Sequence, residues 1–267
     1  MLPKQFYEIV NAFAPKAISD EYCNRYGAYD NSGLLVDCAE EITGAVFALD
    51  LTDGAIEKAK AMGVNVIVTH HPAIYAKLGE LSVENGLSRK VSKCLRTGIS
   101  VLCMHLNVDC TEGGIDDCLL QAIANVCGGL QDGTVAVQKP LTNGGYGKAY
   151  SVKTTGAEEF LSGMKKEFSS QTIRLVAKAG AKISRVASFC GSGVDEEAIA
   201  WAKVQGADAV VSSDWKHHLI LDVFDSGMAA VVISHYASEN YGFQKYYEKI
   251  RQAVDIPCVY HTDEELL

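Results

Sequence analysis

The chain holds seven histidines, and six of them, His70, His71, His105, His217, His218 and His235, fall at or just past the ends of short apolar runs that read as β-strands. Imidazole is a common metal ligand, and its unperturbed pKa suits acid–base work near neutral pH. His70-His71-Pro72 follows the β-branched run Val64–Thr69. Successive strand residues point to opposite faces, so the pair converges on one site only where the strand ends and twists. Pro72 supports such an end, because it donates no ladder hydrogen bond and biases His71 toward an extended conformation. His105-Leu106-Asn107-Val108-Asp109 and His235-Tyr236-Ala237-Ser238-Glu239 each place a carboxylate four residues after a strand-terminal histidine. A chain that turns into a helix there folds the carboxylate back beside the imidazole, and Ser238 is placed to help start the second helix. Alone, each motif also fits an exposed loop or a surface pair. Two matched copies with a His-His pair read as a metal site.

The donors are imidazole and carboxylate, with no cysteine at ligand spacing, which argues against an iron–sulfur cluster or a Cys-rich structural zinc site. Zinc, iron, manganese and cobalt all remain open. Five or more donors exceed what one tetrahedral catalytic zinc uses, whereas two ions bridged by a carboxylate use them economically.

These side chains must be positioned by a scaffold, and the hydrophobic pattern predicts one. Phe6–Phe13 has helical spacing, Asp30-Asn31-Ser32-Gly33 is a turn, and Leu34–Val36 is a short apolar run. Val46–Leu51 reads as a strand, Gly54–Met62 as a helix closed by Gly63, and Val64–Thr69 as a strand. A helix over Val91–Thr97, ended by Gly98, leads to the strand Ile99–Met104. The order returns with Val186–Phe189, Asp195–Val204, Gly206 and Ala207–Val211. A shift of 143 positions superposes Ala55, Ile56, Ala59, Lys60 and Gly63 on Ala198, Ile199, Ala202, Lys203 and Gly206. The expected fold is α/β: two similar halves from an internal duplication, mixed sheets flanked by helices, and the metal site in the cleft between them. The expected lobes are 1–128 and 129–267, with the stretch from about 228 returning to complete the site.

Composition sets the outer limits. The 267 residues are 48% hydrophobic and 21% charged, which fits a globular chain and not a disordered one. The formal charge of −9, unbroken by a long basic block, disfavours an extended nucleic-acid surface. No apolar stretch approaches the ~18–20 residues of a membrane span, and Met1–Glu8 lacks the apolar region of a signal peptide. The nine cysteines are odd in number and form no Cys-x-x-Cys, so buried thiols in a reducing compartment, the cytoplasm, are expected.

The motifs Asp30-Asn31-x-Gly33-Leu34, Thr69-His70-His71-Pro72, His105-x-Asn107-x-Asp109, Gly191-Ser192-Gly193, Lys216-His217-His218 and His235-Tyr236-x-Ser238-Glu239 together resemble the NIF-three-like dinuclear metal-centre proteins, often named GTP cyclohydrolase 1 type 2 homologues. The resemblance runs through nearly the whole chain. It implies five metal ligands, His70, His71, Asp109, His235 and Glu239, with the two neighbouring histidines on different ions and Glu239 as the bridge. It gives His105 an outer-sphere or proton-transfer role. Lys216, His217 and His218 either line the cleft or serve the surface. Gly191-Ser192-Gly193 is either a phosphate loop or a tight strand-to-helix turn. One departure is Ser212-Ser213-Asp214, where relatives carry Thr-Gly-Glu or Thr-Gly-Asp; the lost glycine puts a positive-φ turn there in doubt. The chain also lacks room for the central insertion of some relatives.

The implied activity is metal-dependent hydrolysis of a small-molecule or nucleotide-like substrate, with GTP ring opening as the family's named reaction and a phosphoester as a close variant. Two divalent ions are the implied cofactors, and a homohexamer is the implied assembly. The alternative is a non-catalytic metal-binding regulator, chaperone or scaffold.

Overall fold

The computed structural model describes residues 1–267. The chain forms two compact units, Met1–Thr111 with Phe243–Asp263, and Glu112–Gly242 with Glu264–Leu267. It is a mixed α/β protein with two mixed sheets flanked by helices. No helix is long and apolar enough to cross a membrane.

The first unit runs α1 (Pro3–Phe13), α2 (Lys16–Tyr26), β1 (Gly33–Val36), β2 (Ala45–Ala48), α3 (Asp53–Met62), β3 (Val66–Thr69), α4 (Gly86–Thr97), β4 (Ser100–Cys103) and α5 (Leu106–Cys110). Its sheet order is β1-β4-β3-β2, completed beyond β2 by the strand Cys258–Tyr260. All neighbours pair in parallel except β1, which runs antiparallel on the edge. Every residue of β2, β3 and β4 is buried, as parallel strands covered on both faces require. Val46, Ile67 and Val101 pack with Ile56 and Ala59 of α3 and Val91 and Cys94 of α4. Thr52 caps α3 by accepting the Ala55 N–H, and Gly63 closes it in the left-handed conformation. α4 starts at Gly86, five residues before the expected Val91, because Asn85 caps it through the Leu87 and Ser88 N–H groups. The one buried residue of that first turn is the polar Ser88, so the turn shows no apolar period.

The second unit runs α6 (Ile115–Val126), β5 (Leu130–Pro140), β6 (Gly145–Gly156), α7 (Ala157–Glu167), β7 (Arg174–Val176), β8 (Lys182–Ser188), α8 (Glu196–Val204), β9 (Ala209–Ser212), α9 (His217–Asp225), β10 (Ala229–Val232) and α10 (His235–Ala253). α10 starts in this unit and ends in the first, where β11 (Cys258–Tyr260) follows. The sheet order is β5-β6-β8-β9-β10-β7, with β8, β9 and β10 parallel. Thus β2-α3-β3-α4-β4 in one unit and β8-α8-β9-α9-β10 in the other have the same order of elements. The long hairpin β5–β6 is a structural addition with no counterpart in the sequence reading. β5 lies on the sheet edge and is largely exposed, so its residues show no clean alternation.

Asp116, in the first turn of α6, is fully buried. One oxygen accepts the Gly147 N–H at 2.9 Å and the other the Cys190 N–H at 3.1 Å, tying α6 to β6 and to the loop after β8. The Lys148 ammonium stands 3.8 Å away. Burial pushes the Asp116 carboxyl up to about 6, against the opposing pull of Lys148 and the two N–H groups.

Candidate metal centre

In the first unit, β2, β3 and β4 end level, with Ala48, Thr69 and Cys103 in register. The residues just beyond, Asp50, His70, His71 and His105, therefore leave the carboxyl edge of the sheet together, the usual place for ligands in open α/β sheets. The three imidazoles lie 4.9, 5.1 and 5.9 Å apart between ring centroids. Their ligand-type atoms all lie within 4.8 Å of one another. His70 is fully buried. The chain turns into α5 after His105, as the spacing predicts, but Asp109 reaches His70: its Oδ1 lies 3.4 Å from His70 Nε2. His105 takes its carboxylate from Asp30 instead. Asn107 secures α5 by donating from Nδ2 to the Ala14 carbonyl.

In the second unit, His235 opens α10 and its Nε2 lies 3.0 Å from Glu239 Oε2, so here the i,i+4 fold-back occurs. Ser234, not Ser238, caps the helix by accepting the Ala237 N–H at 3.0 Å. Ser238 sits one turn inside, donating to the His235 carbonyl and accepting the Gly191 N–H. Gly191-Ser192-Gly193 is a tight turn around this helix start. The Gly191 carbonyl accepts from the Ser213 N–H and the Ser212 hydroxyl, and its φ is +56°. The turn at Ser212-Ser213-Asp214 keeps a positive φ despite the missing glycine, but takes it at Asp214, at +53°. Aspartate tolerates that region better than most side chains.

One geometric rule is common to four of the histidines, the three candidate ligands and His105. His70 Nδ1 bonds the Met104 carbonyl at 2.9 Å, His71 Nδ1 bonds Asp50 at 2.8 Å, His105 Nδ1 bonds Asp30 at 2.8 Å, and His235 Nδ1 bonds Asp214 at 2.6 Å. Every partner is an acceptor, so each Nδ1 carries a proton, and a ring in its neutral form then presents its Nε2 lone pair. Metal-binding histidines are oriented in this way. By contrast, His218 and His261 engage Glu196 and Asp263 through Nε2. Lys216, His217 and His218 are exposed.

This donor set fits a divalent cation. The Nε2 lone pair of His70 faces the Asp109 carboxylate, and that of His235 faces Glu239. Asp109 and Glu239 are only 4% and 3% exposed. Lone pair against anion is repulsive in a buried setting unless a cation lies between them, whether a proton or a metal ion. The ligand atoms are nitrogen and oxygen only, which suits zinc, iron or manganese.

Three orienting carboxylates, Asp30, Asp50 and Asp214, had no role in the sequence reading. Asp50 and Asp214 each follow a strand by two residues, and that position was the available signal. Asp30 lay within a recognised motif, yet its partner His105 is 75 residues away. Burial would raise the Asp30 carboxyl, but bonds from His105, Ser19 and Ser32 outweigh it and hold it well below the usual carboxylate range. Its stabilising contribution is therefore present above the ordinary pKa of about 3.9 and fades as pH falls further. Asp50→Asn, which alters the partner of the candidate ligand His71, is expected to weaken divalent-metal affinity on the order of 10–100-fold, measured by competition with a chromophoric chelator. Unchanged affinity would refute the orienting role.

The chain matches the sequence profile of the family described as Duf34/NIF3 (NGG1p interacting factor 3) over residues 1–263. It is 29% identical over 240 residues to a Clostridium perfringens protein named GTP cyclohydrolase 1 type 2 homolog, covering 89% of each chain. A Methanocaldococcus jannaschii protein of the same name is 26% identical over 261 residues, covering 97% of this chain and 98% of its own. Among solved structures, the Staphylococcus aureus hypothetical protein SA1388 superposes with a TM-score of 0.80 at 22% identity, covering 97% of this chain and 95% of that one, a likeness of fold. Reduced HcgD from Methanocaldococcus jannaschii does so with a TM-score of 0.79 at 25% identity, covering 97% of both. With the motifs, the oriented histidines and the match along nearly its full length in hand, this chain belongs to the Duf34/NIF3 family.

Proposed function

We propose that the chain is a dinuclear divalent-metal hydrolase acting on a nucleotide-like substrate, with His70, His71 and Asp109 of the first unit and His235 and Glu239 of the second as ligands and Glu239 as the bridge. The observation that carries this reading is the common orientation of four imidazoles, each with Nδ1 committed to an acceptor. Bound divalent ions supply Lewis acidity and lower the pKa of water, which suits attack on a ring carbon, a carbonyl or a phosphoryl group. His105 serves as the proton carrier: Asp30 fixes its tautomer, so Nε2 is the atom that accepts and returns the proton. His70, buried and bonded to the Met104 carbonyl, holds its ring still while the substrate binds. The names of the Clostridium and Methanocaldococcus relatives favour GTP ring opening, giving formate and a dihydroneopterin triphosphate.

Metal analysis of the purified full chain is expected to find two divalent ions, and the metal-loaded protein is expected to release formate from GTP. His70→Ala and Glu239→Ala should each lower metal content and abolish turnover while the circular dichroism stays unchanged. A fully loaded chain with no turnover on GTP or phosphoesters would reject the hydrolase. That outcome would favour a non-catalytic regulator or scaffold, the reading that suits the relative from Saccharomyces cerevisiae, 25% identical and named NGG1-interacting factor 3.

A further inference from the structure

Two tyrosines stand beside the histidine cluster of the first unit with much of their surface in solvent, Tyr29 at 57% and Tyr75 at 50% exposed. Large aromatic side chains usually bury more than this. They are arranged as a corner. The Tyr29 and Tyr75 rings meet edge to face, 5.3 Å apart at 85°, and the Tyr75 and His105 rings do the same at 6.5 Å and 86°. The Tyr75 hydroxyl donates to the Tyr29 carbonyl at 3.4 Å.

The corner is anchored by the loop that organises the site. In Tyr29-Asp30-Asn31, Asp30 orients His105, and Asn31 Nδ2 donates to the carbonyl of Ile74, next to Tyr75. One tripeptide thus supplies an aromatic wall, sets the tautomer of an imidazole and ties down the neighbour of the second wall. The side chains bonded to the histidines of this unit are carboxylates, Asp30 and Asp50, and Asp109 stands against His70. The Asp30 side chain is buried and committed to His105, Ser19 and Ser32, so the surface that the corner offers to solvent is aromatic, which suits the π-face of a planar ring.

We propose that Tyr29 and Tyr75 are specificity-determining residues that stack a planar heterocyclic ring of the substrate beside His105, so that its ring end, and not its phosphate end, meets the first unit's histidines. This deepens the hydrolase reading and rests on it. Aromatic platforms hold bases through their π-faces with little demand on sequence or substituent. A flat ring stacked parallel to Tyr75 would stand nearly perpendicular to the His105 imidazole, because the Tyr75 and His105 rings meet at 86°.

The test is isothermal titration of the metal-loaded full chain with guanosine, adenosine, nicotinamide, ribose and inorganic triphosphate, with metal content measured in parallel. At least one ring compound is expected to bind well ahead of ribose and triphosphate. Tyr75→Ala should weaken that ring at least about tenfold, the order for loss of a stacking partner, and leave triphosphate binding and metal content unchanged. Tyr75→Phe should bind as wild type, and Tyr29→Ala should show a smaller loss of the same kind. A metal-loaded wild type that binds no ring, or Tyr75→Ala that binds every ring as wild type does, overturns this inference and leaves the metal reading standing. A wild type that takes up no metal overturns the underlying reading instead. A uniform loss for all probes in Tyr75→Ala also counts against ring selection.

Discussion

Gly191→Ala is expected to strip metal from the His235–Glu239 pair while the fold survives. A Cβ at Gly191 would lie 2.1 Å from Glu239 Oε1 and 3.2 Å from His235 Nε2. The loop has no room to retreat, because its carbonyl holds the Ser213 N–H and the Ser212 hydroxyl and its N–H is bonded to Ser238. The Glu239 carboxylate is the part that yields, and it is a proposed ligand. Alanine in the left-handed region also costs about 1–2 kcal/mol. Gly206→Ala separates the two effects: Gly206 has a φ of +67° but nothing within 4 Å of its added Cβ. Both variants should unfold at lower denaturant, but only Gly191→Ala should lose metal by elemental analysis. Full metal content in Gly191→Ala, or equal loss in both variants, would remove Glu239 from the ligand set.

Asp116→Ala is expected to cost about 3–5 kcal/mol of stability, the usual result of removing one member of a buried charged pair. Two backbone N–H groups lose their acceptor and Lys148, 4% exposed, loses a neighbouring charge, although Asp117 still stands 3.2 Å from it. The loop before Gly191 also loses its anchor at Cys190, so metal affinity should fall with stability. Asp116→Asn tests the protonation. Burial pushes the folded carboxyl up to about 6 from its ordinary value of 3.8, so the native state binds this proton more tightly. The stabilising effect of that binding is complete below 3.8 and is lost as pH rises through about 6. Asparagine has no such proton. The stability deficit of Asp116→Asn relative to wild type should therefore be larger at pH 4.5 than at pH 8 in urea unfolding. A deficit that grows with pH would contradict this assignment.

The strand–helix–strand cores were readable because parallel strands buried on both faces leave continuous apolar runs, as in Val66–Thr69, and because Gly63 and Gly98 mark helix ends. The β5–β6 hairpin was not readable, since an exposed edge strand is under little pressure to alternate. Ser238 was misplaced by one turn, because Ser234 competes for the same capping role and only the backbone path decides between them.

By itself the sequence determined which side chains could do chemistry: histidines at strand ends and carboxylates four residues on are local patterns, fixed by chain direction and helix pitch. The tertiary structure alone decided which atom of each imidazole faces the site. Met104, Asp50, Asp30 and Asp214 hold the Nδ1 positions, and all four come from other segments of the chain. It also decided that Asp109 turns to His70 while Glu239 turns to His235. A hydrogen-bond partner brought in from a neighbouring strand end leaves no periodic trace in either segment, so no spacing rule could have revealed it.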